Sequence, residues 1–304
     1  MNAPWSAATD EAAALAEVAW VLLAGVAAIF AATMGALALG LRARKPAVPA
    51  RWWIVGGGIV VPVVLLSALL AYSTWRTVGL DRGPADPLVV SVTGRMWWWE
   101  IRYRNPADGA ELRMANELHL PLGRPVQLGL TSADVIHSVW VPALGGKMDT
   151  VPGRVNRLVF TPRRAGVYRG SCAEFCGEQH ARMALHVVVQ PPAQFDAWLA
   201  RQARPAQTTS DATLAQGRRA FVERGCAGCH AVRGVAPGGT LAPDLTHVGS
   251  RLHLGAGVLP NDRAAIARWI VGVQALKPGA HMPAMRDADA ATLDALAAWL
   301  ASLQ

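Results

Sequence analysis

Two long uncharged stretches open the chain. Val18 to Leu41 and Trp52 to Trp75 each run 24 residues without a formal charge. As helices each would extend about 36 Å, enough to cross a hydrocarbon layer roughly 30 Å thick. Past Asp81 the pattern breaks into short apolar runs separated by Gly, Pro and Asp: PLVVSVTG, WWWEIRY, VQLGLTS, VIHSVWVP, VNRLVF, GVYRGS and ALHVVVQ. Val126, Leu128 and Leu130 alternate with Gln127, Gly129 and Thr131, as in a half-buried strand. Turn residues at this frequency predict a small all-β sandwich or barrel over residues 86–190. PAQFDAWLARQ then predicts a short helix and ARPAQTTSD a polar linker. DATLAQGRRAFVERG, NDRAAIARWIVG and DADAATLDALAAWLASLQ carry helical spacing, with Leu293, Leu296, Leu300 and Leu303 on one face. The expected organisation is multidomain: residues 1–80 as a two-helix transmembrane hairpin (helices about 14–41 and 52–75), 81–200 as a β domain, 201–210 as a linker and 211–304 as a small all-α domain.

Composition sharpens the membrane reading. AVILMFWYC residues make up 52% of the 304 and charged residues only 16%, and the apolar excess lies in the first quarter. Two buried helices of a soluble protein are the alternative, and charge placement argues against it. The connection holds Arg42, Arg44, Lys45 and Arg51 with no acid, whereas Asp10 and Glu11 precede the first run with no base. The positive-inside rule therefore puts the connection in the cytoplasm and both termini outside, as a multi-pass protein of a bacterial-type inner membrane. A cleaved signal peptide fits less well, because no basic segment precedes the first run and a second run follows it. The net charge of +8 divides as +2 for residues 1–80, +2 for 81–200 and +4 for 201–304. Without a concentrated basic block interleaved with aromatics, nucleic acid is not an expected partner.

The four cysteines form two close pairs, and outside the cytoplasm two disulfides are the plain alternative for both. Cys226 and Cys229 sit in GCAGCHAV, a CxxCH motif in a helical context. That spacing lets both thiols add to the vinyl groups of one haem while His230 ligates the iron. A thioredoxin-like motif would need a βαβ context, and a zinc site more ligands nearby. KPGAHMPAM offers Met282 and Met285 for the opposite face of the iron. The stretch resembles the axial-ligand loop of small cytochromes c, in which the methionine precedes proline, and this favours Met282; His281 is the alternative.

Cys172 and Cys176 sit in SCAEFCGEQHARM, with His180 and Met183 close behind. The CxxxC spacing is unlike the usual zinc pair, and thiolate, imidazole and thioether together form a soft set that selects copper. A mononuclear blue-copper site would use one cysteine. Here two thiolates can bridge two ions, with His180 and the upstream His137 as one imidazole for each. Met183 and the carbonyl of Glu174 supply weak axial donors, which makes a dinuclear centre.

SADVIHSVWVPALGGKMDTVPGR, followed by CAEFCGEQHARM, resembles the CuA domain of cytochrome c oxidase subunit II, and GRMWWWEIRY is similar to that family's aromatic segment. The likeness takes in the hairpin and the β domain, with a cytochrome c domain appended as in caa-type oxidases. It implies a cupredoxin-like barrel whose dinuclear CuA is held by His137, Cys172, the Glu174 carbonyl, Cys176, His180 and Met183. Trp97 matches the electron-entry tryptophan, with a core aromatic as the alternative. Trp98 is expected on the opposite face, because adjacent strand residues alternate. The Glu174 carboxylate matches a ligand of a magnesium or manganese ion at the interface with the catalytic subunit. Asp134, Lys147, Asp149 and Arg154 read as subunit contacts or solvated loop charges. One departure concerns RWWIVGGGIVVPVV, which lacks the glutamate that many members carry at the mouth of a proton channel.

The resemblance implies an electron-entry subunit of an oxygen-reducing haem-copper oxidase. Electrons from a cytochrome c or other soluble donor would pass through one covalent haem c and CuA to catalytic subunit I, with subunit III as a further partner. Oxygen reduction is not expected of this chain alone. The alternatives are the same module in a nitric oxide reductase, or a membrane-tethered carrier without a catalytic partner.

Overall fold

The computed structural model describes residues 6–42, 49–79, 86–207 and 210–304. Arg44 and Lys45 of the basic connection, the expected boundary at 80/81, and Thr208 and Thr209 of the expected linker lie outside them. The chain separates into a unit of residues 10–82 and a unit holding the first nine residues and 83–304.

In the smaller unit, helix α1 spans Asp10–Arg42, and a second rod winds as a π-helix over Trp52–Val60 before continuing as helix α2, Val61–Thr77. Both rods are long and apolar enough to cross a membrane, and their apolar windows are wholly unburied by protein. Glu17 near the start of α1 accepts a hydrogen bond from Tyr72 (2.9 Å) and pairs with Arg76, both at the end of α2. The two rods thus run antiparallel, with the start of α1 beside the end of α2.

The β domain consists of two five-stranded sheets. One runs β3 (Glu111–Ala115), β2 (Trp98–Arg104), β1 (Leu88–Arg95), β5 (Val126–Ser132), β8 (Asn156–Phe160). The other runs β4 (Glu117–Pro121), β10 (Ala184–Gln190), β9 (Gly166–Cys172), β6 (His137–Trp140), β7 (Met148–Thr150). The β1–β5 and β4–β10 pairs are parallel, the others antiparallel. This curled half-barrel is cupredoxin-like. Alternation puts one row of each strand inside: Val90, Val92, Trp99, Ile101, Leu120 and Leu130 are all fully buried between the sheets. Helix α3 (Pro192–Ala203) closes one end, with Trp198 edge-on to Tyr103 (5.5 Å) and stacked on His119 (3.9 Å).

Three strands escape the apolar pattern. In ELRMANELHLP, β3 and β4 follow one another with only Asn116 between them, and its φ of +63° turns the chain from one sheet to the other. Asparagine tolerates this region, and its side chain accepts a hydrogen bond from the Trp99 amide at 2.8 Å. The charges of Glu111, Arg113 and Glu117 mask the alternation. β7 is only three residues long.

The C-terminal domain packs helices α4 (Ala212–Glu223), α5 (Arg263–Leu276) and α6 (Ala290–Ser302) around Phe221, Ile266, Leu296 and Trp299. Each helix is capped by an aspartate: Asp211 accepts from Leu214, Asp262 from Ala265 and Asp289 from Thr292, at 2.7–2.9 Å. The expected linker at 201–210 overlaps α3 at its start and ends where Asp211 caps α4. Residues 201–203 belong to α3, and the chain beyond is bonded to the C-terminal domain. The Ala206 amide donates to the Arg233 carbonyl (2.8 Å), Arg233 pairs with the Gln202 carbonyl, and His247 Nε2 lies 3.0 Å from the Arg204 carbonyl.

On the outer face of the first sheet, buried Glu100 meets Arg95 (3.0 Å), Arg102 (3.1 Å) and Arg113 (2.5 Å). Burial works to raise its pKa, but hydrogen bonds and charge from Arg113 and Arg102 outweigh it and hold the carboxyl below its ordinary 4.5. A depressed carboxyl stabilises the fold above the unfolded-state value, and that contribution is lost as pH falls through the folded one. Glu100→Gln, which leaves three guanidiniums without their counter-charge and with one acceptor oxygen in place of two, is expected to cost about 3 kcal/mol. Denaturant unfolding of the full chain in detergent measures this, and acid unfolding of the variant loses the corresponding pH-dependent phase.

Candidate functional site

The register of the second sheet assembles one cluster. Cys172 ends β9 and Met183 immediately precedes β10; because these strands pair antiparallel, the Cys172 amide donates to the Met183 carbonyl at 3.0 Å. The ten residues between must therefore fold back on themselves, which they do through a 3₁₀ turn at His180–Arg182. β6 pairs with β9 at Val139 and Cys172, and so brings His137, at its start, to the same end.

Cys172 Sγ lies 3.6 Å from Cys176 Sγ, 3.9 Å from His137 Nδ1 and 3.2 Å from the Glu174 carbonyl oxygen. Cys176 Sγ is 3.6 Å from His180 Nδ1 and 3.9 Å from Met183 Sδ. Neither cysteine pair is joined as a disulfide. Among the described residues, His137, Cys172 and Cys176 are the one group of three or more His, Cys, Asp or Glu side chains close enough to share an ion, and all three are buried.

The electrostatics favour a thiolate. Contact between the two sulfurs draws Cys172 well below the ordinary thiol range and pushes Cys176 up. Burial disfavours a charged His137, but the hydrogen bond it donates to Asp134 and the contact with Cys172 overcome it and raise the imidazole to about 9. Asp134 Oδ1 sits 2.7 Å from His137 Nε2, and Asp134 also accepts from the Met96 amide at 2.9 Å. Asp134 is thus no loose loop charge: it fixes the ring so that Nδ1 faces the sulfurs. The D-x-x-H spacing was its signal in the sequence.

Trp97 lies in the turn between β1 and β2, is 9% exposed, and donates from Nε1 to the Cys176 carbonyl at 2.7 Å. Trp98 is half-buried beneath Arg95, whereas Trp99 is fully buried and edge-on to His137 at 5.9 Å. The Glu174 carboxylate stands apart, partly exposed and 3.3 Å from Lys147, and no second carboxylate joins it in a metal-type group among the described residues.

In the C-terminal domain Cys226 and Cys229 lie on a 3₁₀ turn that follows α4, and the His230 amide closes it on the Cys226 carbonyl at 3.0 Å. His230 Nδ1 lies 2.7 Å from the Pro243 carbonyl, which directs Nε2 away as a free donor. Burial lowers its pKa, which favours the neutral ring. Met282 and Met285 are both half-buried against the same core as Cys226. Gln274 holds the Ala280 and Met282 carbonyls (2.7 and 2.9 Å), and His281 is exposed.

Comparison with known proteins bears on this arrangement. The model of the cytochrome c oxidase subunit II periplasmic domain matches residues 88–190, and that of cytochrome c matches residues 214–304. Cytochrome c oxidase subunit 2 of Alkalihalophilus pseudofirmus is 36% identical over 251 residues, covering 81% of this chain and 71% of that protein. The chain belongs to the cytochrome c oxidase subunit 2 family. The subunit 2 of Bacillus sp. strain PS3 is 32% identical over 240 residues, and the match spans 73% of this chain and 66% of that one. The periplasmic domain of subunit II of a cytochrome oxidase of Bradyrhizobium japonicum aligns at 30% identity over 39% of this chain and 94% of its own, with a TM-score of 0.36. This member of the family is a fusion of a subunit II periplasmic domain with a cytochrome c domain, an electron-transfer module anchored by two apolar helices with an extracytoplasmic β domain.

Asp134→Asn removes the carboxylate that orients His137. Partners of this kind typically contribute 10–100-fold to metal affinity, so copper affinity should fall by roughly that factor. Competition with a copper chelator measures it, with Asp134→Glu retaining part of the affinity.

Proposed function

We propose that this chain is the electron-entry subunit of a haem-copper terminal oxidase and that its six converging donors hold a dinuclear CuA centre. The carrying observation is the cluster itself: two cysteines flanked by one imidazole each, a thioether and a carbonyl, with neighbouring contacts of 3.2–3.9 Å. A soft donor set with two thiols, two imidazoles and a thioether, and no carboxylate inside it, suits copper and not magnesium or calcium. When bound, the copper pair and a haem attached through Cys226 and Cys229 supply one-electron chemistry.

The protein's part is to fix positions and exclude water. Asp134 sets the His137 tautomer, and Trp99 walls the imidazole. His230, turned by Pro243, and Met282, which precedes proline, would be the protein ligands of the haem iron. Trp97, bonded to the carbonyl of a cysteine ligand, is the residue through which electrons reach the copper side. In this reading a cytochrome c or other soluble donor serves the C-terminal domain. Catalytic subunit I, with subunit III, receives the electrons and reduces dioxygen to water. Both termini and both redox domains lie outside a bacterial inner membrane.

The full chain loaded with metals is expected to carry two coppers and one covalent haem, with the magnetic resonance signature of an electron shared by two coppers. One copper with an ordinary blue-copper spectrum overturns the dinuclear assignment. Met282→Leu should convert the low-spin haem spectrum, and an unchanged spectrum moves the axial role to Met285 or His281. Isolation from native membranes should recover a large subunit with cytochrome c-dependent oxygen uptake; nitric oxide reduction by that assembly would assign the module to the other reaction.

A further inference from the structure

Lys277, which follows α5, is 4% exposed. Its ammonium donates to three backbone carbonyls: Trp97 (2.7 Å), Arg182 (2.8 Å) and Gly255 (2.9 Å). Two of these belong to the β domain and one to the C-terminal domain. Among the described residues no carboxylate accepts from it, and burial pushes the group down to about 7. A buried cation without a counter-ion is costly, and its three acceptors are fixed main-chain atoms. One acceptor is the carbonyl of Trp97, and another directly precedes Met183 in the chain.

The surrounding contacts have the same direction. Arg182 returns a hydrogen bond to the Leu276 carbonyl at 2.9 Å, the Ala184 amide donates to the Ala256 carbonyl at 3.0 Å, and the Leu252 amide donates to Glu117 at 2.8 Å. Two residues beyond Lys277, Gly279 (φ +74°) passes so close to the indole that a Cβ there would lie 3.4 Å from the Trp97 ring and 2.8 Å from the Glu178 carboxylate. On the copper side Gly177 (φ +107°) makes an equally close approach, its Cβ position 3.2 Å from the same ring. The Trp97 indole is therefore enclosed between the cysteine loop and the methionine loop.

We infer that Lys277 is a positioning residue that pins the methionine loop over Trp97, so that the copper centre draws its electrons from the haem of its own chain and not directly from solution. This rests on the relay proposed above. The step is outer-sphere: one electron is lost at the iron and one gained at the copper, with no bond made or broken and no proton moved.

The experiment compares the full chain, loaded with copper and haem, with Lys277→Met and Lys277→Gln; the second keeps a donor and serves if the first fails to fold. After flash reduction of the haem by a photoactive ruthenium complex, the unsubstituted chain should show a concentration-independent transfer to copper. Both variants should slow it by on the order of tenfold or more, as a docked partner becomes a merely tethered one. Copper and haem spectra and both midpoint potentials should stay unchanged. A reduced soluble c-type cytochrome should reduce the variants' copper at a rate that rises with its concentration, without prior reduction of the attached haem. Hydrogen exchange supplies a readout independent of electron transfer. Amides of Ala184 and Leu252, which bond across the domains, should lose protection while those of β5 and α6 keep theirs. Wild-type transfer rates and protection in both variants overturn the pin and leave the relay standing. Absence of transfer in a fully loaded unsubstituted chain overturns the relay and the pin with it.

Discussion

The pairing of β9 with β10 is the constraint on which the site depends. It makes Cys172 and Met183 hydrogen-bonded neighbours although eleven positions separate them. The residues between have no freedom to extend, and the two sulfurs, His180 and the Glu174 carbonyl are thrown together as a result of strand register. β6, on the other side of β9, adds His137 by the same means. A one-residue slip in either pair would turn these side chains to the opposite face of the sheet. The candidate donors are therefore as rigid as the sandwich that carries them, which is what the proposed one-electron centre would require if little is to reorganise when charge arrives.

Three charges, Glu100 and Lys277 buried and Asp134 partly so, serve three different ends. Glu100, gripped by arginines from three adjacent strands, ties the outer face of the first sheet together. Asp134 faces a single imidazole and sets its orientation. Lys277 faces only backbone carbonyls and joins two domains. Their surroundings separate the roles: guanidinium forks for strength, a ring nitrogen for direction, and main-chain oxygens for placement.

Much of this was legible in the sequence. The two uncharged runs, the alternation in VQLGLTS and the leucine face of the last helix led directly to the hairpin, the β domain and the helical domain. The CxxxC spacing marked the two cysteines that the fold gathers with His137. What escaped depended on tertiary position. β3 and β4 are masked by charges and joined by a left-handed asparagine, so that neither composition nor turn residues mark the crossing between sheets. Asp134 looked like a solvated loop charge because its partner's orientation is a property of the fold. ARPAQTTSD looked like a free linker because small polar residues are also what a closely apposed strap requires. Lys277 gave no signal, since a lysine before Pro-Gly is ordinary until the carbonyls around it are known.

The strap formed by residues 202–206 changes what it means for the two redox domains to share one chain. Bonded to Arg233 and His247, it leaves the helical domain little room to tumble on its tether. The orientational entropy that a diffusing carrier would surrender at every encounter is here lost a single time, when the chain folds. In the proposed relay, each later electron would cross between groups whose relative arrangement has already been decided.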